Sequence, residues 1–425
     1  MEYMFSTMEQ CTNFIFKLRA SEYKGAPLES ARILLEALGN PQTKSKFIHI
    51  AGSNGKGSTL NATREILMAH GLQVGAFISP HLERPNERIT INKVQISDEQ
   101  FLNFANEIAQ AVHTKLNGKF PSFFEFMTIL AFLYFAQSDV DVVILETGIG
   151  GRLDSTNVIT PEVSIITTIA LEHTAMLGET YELIAAEKAG IIKEAKPVVI
   201  GVKHEAARAV IKAYAKQMNA KAYVLGEQIH VTPKANQRFD YEAIEQFADL
   251  QLAMAGVHQM ENAALAITAC SLFLNTLQEE PLRKALQTAV WEGRFEQPLA
   301  QVVLDGAHNP EGTAALIETL KQVYPNQKYH FIYAAMADKD HAASIKMMDQ
   351  IATTITFTQI QLPTAKSAEA LHELSTNASK QFATEWQPLL RMFLRNKGAD
   401  DLIVVTGSLY FIGEVRQAIK GGELT

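Results

Sequence analysis

The sequence predicts an α/β protein with a P-loop in a mostly parallel sheet, followed by a second, smaller α/β unit. Three observations carry this. Short β-branched runs alternate with helix-period segments along most of the chain, the pattern of βαβ units. One run, Phe47–Ala51, feeds directly into Gly52-Ser53-Asn54-Gly55-Lys56-Gly57-Ser58 and then into a helical pattern. A length of 425 residues exceeds what one core usually holds, so 1–296 and 297–425 are read as separate domains.

Taken in order, 8–18 and 28–38 read as helices leading to the loop. Three glycines within six residues let the backbone adopt positive φ and turn its N–H groups inward. Those donors, the positive end of the next helix and Lys56 together suit a polyphosphate. Ser58, at the helix start, could reach a phosphate-bound Mg²⁺. The strict pattern has four residues between its first glycine and the Gly-Lys pair, whereas two intervene here. A plain glycine-rich strand–helix turn is the alternative.

Residues 73–78 then form a strand ending in Ser79-Pro80-His81-Leu82. Ile89–Ile91 and 94–96 read as a hairpin around Asn92-Lys93, and Ser97 with Gln100 as a capping box. The apolar stretch 123–135 leads to 140–145, whose Val-Val-Ile-Leu run fits a buried parallel strand and ends at Glu146. Strands at 163–169 and 197–201 alternate with helices at 181–192 and 205–218. Around 223–241 the pattern becomes short-stranded and polar, a β excursion, and 258–274 is an alanine-rich helix. From Gln297-Pro298 a smaller, Rossmann-like α/β unit begins, with strands at 301–304, 329–333, 354–360 and 402–405.

Composition narrows the class. Hydrophobic residues at 47% and charged residues at 20% are ordinary for a globular protein. A net charge of -8 argues against general nucleic-acid binding. Cys11 and Cys270 allow neither a disulfide framework nor a cysteine zinc site. No run approaches the roughly 18–20 apolar residues of a membrane span, and the N-terminus lacks a secretory pattern. The expectation is a cytoplasmic monomer with small-molecule partners and neither nucleic acid nor membrane.

In open parallel sheets, ligands gather at the carboxyl ends of strands. Glu146 ends one strand and could hold Mg²⁺ through oxygen; a salt bridge to a neighbour such as Arg152 is the alternative. His173 follows the 163–169 strand and Ser79 the 73–78 strand. Each is uninformative alone, and their coincidence at strand ends is what raises them. Lys188 lies among small apolar residues on a helix, where a solvated lysine paired with a carboxylate is the plain alternative. Asp305-Gly306-Ala307-His308-Asn309-Pro310 ends a strand and starts a helix. It could present Asp305 to a ribose hydroxyl and His308 to a phosphate, or be a turn whose Asp and Asn cap backbone groups.

Together these motifs resemble the folylpolyglutamate synthase/dihydrofolate synthase family, a branch of the Mur ligases. The resemblance runs from the loop at 52–58 through Ser79-Pro80-His81-Leu82, Arg88-Ile89-Thr90, Phe123-Phe124-Glu125-Phe126 and 145–157. It continues through Glu172-His173, 187–193, His258-Gln259 with Asn262, Gly293-Arg294 with Glu296, 305–310 and Asp338-Lys339-Asp340. It implies an ATP-dependent ligase that adds L-glutamate to a folate through an acyl phosphate, with dihydropteroate as a further candidate acceptor. Lys56, Lys188 and His308 would be catalytic. Gly55, Lys56, Gly57, Ser58, Asn262, Arg294 and Asp305 would contact ATP, and ligands drawn from both domains imply closure. Ser79, Glu146, His173 and Lys188, the last as a carbamate, would hold two Mg²⁺ ions, with a monovalent cation left open. Phe123, Phe124, Glu125 and Phe126, with Leu153, Asp154 and Ser155, match the pterin-side pocket, where aromatic rings would suit a flat heterocycle.

Some positions depart from the family pattern. Glu172 replaces the more usual Asp, Ser53 a common threonine, and Ala170 and Ala175 a glycine and an acidic or polar residue. Rival readings are a Mur-type ligase acting on another carboxylate, such as a UDP-linked peptide, and a P-loop NTPase or phosphotransferase.

Overall fold

Strand β1 (Phe47–Ala51) is buried along its whole length, so both of its faces need cover and it takes an inner place in a sheet. The structure, a computed structural model, describes residues 4–337 and 340–424. Asp338-Lys339 of the last motif therefore lies outside the described residues. Two units emerge, Met1–Gln251 with Met260–Ala289, and Leu252–Gln259 with Val290–Thr425.

In the first unit the main sheet has eight strands in the order β4-β3-β2-β5-β1-β6-β7-β8. They are β2 (Val74–Phe77), β3 (Ile89–Ile91), β4 (Val94–Gln95), β5 (Val142–Glu146), β6 (Val163–Ile166), β7 (Val198–Ile200) and β8 (Ala222–Val224), around β1. The β2–β3 and β3–β4 pairings are antiparallel, so β3 alone runs against the others, and the remaining pairings are parallel. Asn92 and Lys93 both take positive φ, as a two-residue hairpin turn requires. Register sets the site: Ile50 of β1 is level with Glu146 of β5 on one side and Ile165 of β6 on the other. The carboxyl ends of β2, β5, β1 and β6 thus form one edge.

β6 stops at Ile166, short of the expected 169. Thr167 and Thr168 donate their hydroxyls to the Asn54 carbonyl, at 2.7 and 3.1 Å, and so bind the glycine-rich loop instead of extending the strand. The β excursion is longer than expected: β8 closes the main sheet, and β9 (His230–Lys234), β10 (Arg238–Glu242) and β11 (Gln246–Gln251) form a separate antiparallel sheet. Helices Asp98–Lys115 and Phe123–Ala136 pack in one core against β2 and β5 side chains, and Tyr181–Ala189 with Glu205–Gln217 in another against β6 and β7.

The second unit holds a six-stranded sheet in the order β12-β13-β17-β14-β15-β16. These are β12 (Glu296–Leu299), β13 (Val302–Asp305), β14 (Lys328–Tyr333), β15 (Ala352–Phe357), β16 (Lys380–Phe382) and β17 (Asp401–Thr406), with only β12 antiparallel. The edge strands β12 and β16 escape sequence reading because, short and half-exposed, they carry no apolar run. β12 straddles the 296/297 division read from the sequence, and the second unit takes up the chain from Val290.

Candidate active site

The loop at 52–55 joins β1 to helix Lys56–Ala69. Gly55 takes φ +88, and any side chain there would strike the Asn262 amide, so glycine serves both conformation and clearance. Asn262 is buried and lies against the loop. Lys56 folds back, its Nζ donating to the carbonyls of Gly52 at 2.9 Å and Ser53 at 3.2 Å. Gly57 and Ser58 occupy the first helical turn, whose N–H groups have no intrahelical acceptors.

A second ammonium sits beside the first. Lys188 is 2% exposed and its Nζ donates to the Gly52 carbonyl at 2.9 Å, with Glu172 Oε1 at 3.4 Å. It is buried rather than solvated. Burial lowers Lys188 to about 8, aided by the neighbouring Lys56 charge and opposed by Glu172. Burial alone would raise Glu172. The charges of Lys188, Lys56 and His173 and a hydrogen bond from Ser53 outweigh it and hold the carboxyl down at about 2. His173 caps helix Thr174–Leu177 with φ +48, a strained conformation for a residue other than glycine.

Glu146, 4% exposed, ends β5, and its Oε2 accepts the Ser79 N–H at 3.1 Å. Arg152 pairs with Glu187, at 2.7 Å, and not with Glu146. Arg88 donates to the Ser79 hydroxyl at 3.2 Å and to His81 Nδ1 at 2.8 Å, and lies 5.0 Å from the centre of the Phe123 ring. Burial and the Arg88 charge lower His81 to about 3, so its ring is neutral. Among the described residues no group of three His, Cys, Asp or Glu side chains is placed to hold a metal. A carboxylate and a hydroxyl side by side at the strand ends still form an oxygen donor set suited to a hard cation whose other ligands are water or phosphate.

The aromatic motif divides. Phe126 is fully buried in the core and is no part of an accessible wall, a correction to the pocket read from the sequence. Glu125 completes the capping box of helix Phe123–Ala136, whose N-cap is Ser122, accepting from Ser122 N and Oγ at 2.9 and 2.7 Å and from Ser30 Oγ at 2.8 Å. This leaves Phe123 and Phe124 half-exposed. Asp154 accepts from the backbone N–H of Gly148, Ile149 and Thr156 and so shapes its own loop. Ser155 bonds Thr128 at 2.8 Å, and Leu153 alone projects outward, 46% exposed. Phe126→Ala should cost about 3–5 kcal/mol of stability, read by denaturant unfolding. A cost below 1 kcal/mol would return Phe126 to the pocket.

In the second unit, Asp305 ends β13. Its two oxygens accept the N–H groups of Phe295 at 2.8 Å and Ala307 at 2.9 Å, so it does cap backbone groups. Burial raises its carboxyl, opposed by Arg294. His308 Nδ1 lies 2.8 Å from the Gly306 carbonyl, and Asn309 caps helix Pro310–Val323.

Two families match the chain. One, described as Mur ligase middle domain, covers 50–270, and the other, Mur ligase, glutamate ligase domain, covers 293–409. The dihydrofolate synthase/folylpolyglutamate synthase of Bacillus subtilis is 38% identical over 402 residues, 91% of this chain and 93% of that one. The chain belongs to the folylpolyglutamate synthase/dihydrofolate synthase family of Mur ligases. Among solved structures, Escherichia coli FolC in complex with DHPP and ADP superposes with TM-score 0.91 at 26% identity, covering both chains completely. A bifunctional member with Mn, AMPPNP and L-glutamate bound gives 0.89 at 28% identity, covering 99% of each. Like its relatives, this synthase-family chain is an ATP-dependent ligase using a divalent cation.

In this family member, three of the departures touch one another. Ser53 Oγ accepts the Ala170 N–H at 2.9 Å, and the Ser53 hydroxyl bonds Glu172. They form one substituted contact. Sequence reasoning did not assign roles to Glu172, His81, Arg88, Thr167 or Thr168. The signal for Glu172 was its place beside His173 at a strand end, and for His81 and Arg88 their place in the quoted motifs; the contacts of Thr167 and Thr168 with the loop come from tertiary packing.

Proposed function

We propose that this ligase activates a folate carboxylate with ATP and joins it to the amine of L-glutamate, and that dihydropteroate is accepted as well. The observation that carries the reading is the second buried ammonium, Lys188, seated on the same Gly52 carbonyl as Lys56. A loop that only hydrolysed a nucleotide would have no use for it.

In this reading the substrate carboxylate attacks the γ-phosphorus, the bond to ADP breaks, and an acyl phosphate forms. The neutral amine of glutamate then adds to the acyl carbon, and phosphate leaves as the amide forms, one amine proton going to solvent. Activation is needed because a carboxylate oxygen is a poor leaving group. Lys56 turns from the loop carbonyls to the phosphates, and the loop N–H groups hold them. Ser79, Glu146, His173 and carbamylated Lys188 would hold two divalent ions, which when bound neutralise phosphate charge. Asn262, Arg294 and Asp305 are assigned to ATP and His308 to the transferred phosphoryl group. Phe123, Phe124 and Leu153 present apolar surface to the pterin and benzoate. Cytoplasmic location and a monomeric state complete the proposal; two free, buried cysteines fit a reducing compartment.

The test is phosphate release with ATP, Mg²⁺ and L-glutamate, with dihydropteroate or a reduced folate monoglutamate as acceptor. Turnover with both is the expected result. Turnover with folate alone removes the dihydropteroate activity, and release without any acceptor would point to an NTPase.

A further inference from the structure

Arg294 sits in an acidic stretch, with Glu292 two residues before it and Glu296 two residues after. Either carboxylate could take its guanidinium as a charge-assisted, bidentate partner. Neither does. Among the described residues the Arg294 guanidinium has no hydrogen-bond or ion-pair partner, and its charge acts on Asp305. It lies along Gly306, where a side chain would collide with Nη1.

Both glutamates are instead held by another arginine. Arg416, 6% exposed on helix Leu409–Lys420, donates from Nε to both oxygens of Glu296, at 2.9 and 3.2 Å, and pairs through Nη2 with Glu292. Glu296 also accepts the Gly293 N–H at 2.8 Å, so the clamp fixes the loop backbone as well as its charge. That loop is tied to the β13 turn: Gly306 donates to the Gly293 carbonyl at 2.9 Å and Phe295 to Asp305.

We infer that Arg416 is a positioning residue for Arg294: by occupying Glu292 and Glu296 it keeps these neighbours from capturing the Arg294 guanidinium, which stays available to the ATP phosphates. The inference rests on the reading that Arg294 meets ATP. Charge sorting of this kind makes a distinctive prediction. Once Arg416 is gone, the two glutamates become the harmful groups, and neutralising them should help.

The experiment is steady-state ligase kinetics on the full chain, with a melting curve for each variant. Arg416→Ala should raise KM for ATP about tenfold, the loss of roughly one charge-assisted interaction, with a smaller fall in kcat. Arg416→Lys should recover part of this, since lysine restores the charge without the planar fork. Adding Glu292→Gln and Glu296→Gln to Arg416→Ala should bring KM for ATP back toward the wild-type value. A scaffold role would make that triple variant no better than Arg416→Ala, and this result would overturn the proposal. So would an unchanged KM in folded Arg416→Ala. Arg294→Ala separates the two readings. If it leaves KM for ATP unchanged, the nucleotide role of Arg294 fails; if it raises KM while Arg416→Ala does not, only the positioning role fails.

Discussion

Lys188→Ala should lose glutamate- and folate-dependent phosphate release by about two to three orders of magnitude, the scale of removing one preorganised charge at a reacting centre. In the structure Lys188 is an ammonium on the Gly52 carbonyl beside Glu172. As a carbamate it would be an anion beside another anion, an arrangement that only bound cations could stabilise. Carbamate formation needs the neutral amine. Burial lowers Lys188 to about 8, so about a tenth would be neutral at pH 7, against a vanishing fraction for an ordinary lysine. Glu172, held down at about 2, stays ionised throughout that range. With ¹³C-bicarbonate, a carbamate carbonyl signal should grow as pH rises from 7 through 8 and be missing from Lys188→Ala. Excess bicarbonate or a small carboxylate should partly restore turnover to the alanine variant. Full activity in folded Lys188→Ala, or no labelled signal in the wild type, would remove the carbamate from the mechanism.

Lys56→Ala should lower kcat/KM for ATP by a similar factor, about 10²–10³, while the fold persists. The Lys56 ammonium donates to the loop carbonyls of Gly52 and Ser53 and to no carboxylate, so its loss leaves no buried carboxylate without its hydrogen-bond partner. Glu172 retains Lys188. The check is ADP binding by calorimetry beside the phosphate-release assay, with a melting curve as control. Weaker ADP binding and lost turnover together are expected. Turnover at the wild-type rate would take Lys56 out of the phosphate site.

The two substitutions also weigh two kinds of legibility. Lys56 was readable because strand, glycine loop, lysine and helix are contiguous, and the chemistry of such a loop is local. By its neighbours alone Lys188 reads as any helical lysine, and only the family resemblance singles it out. Its burial and its seat on Gly52, 136 positions away in sequence, exist only once β6 and helix Tyr181–Ala189 pack beside β1.

By itself, then, the sequence determined the α/β class, the inner strands β1, β5 and β6, the glycine loop, the strand-end positions of Ser79 and Glu146, and the family. These depend on periodicity, runs of buried residues and short contiguous motifs, which are properties of neighbouring residues. Tertiary structure decided what depends on distant partners. It set Phe126 in the core and bonded Ser30 to Glu125, ended β6 early so that Thr167 and Thr168 hold the loop, and gave Arg152 to Glu187 rather than Glu146. It also paired Arg416 with the glutamates around Arg294. A carboxylate's partner is settled by which charge packing brings within reach, and no spacing along the chain encodes that distance.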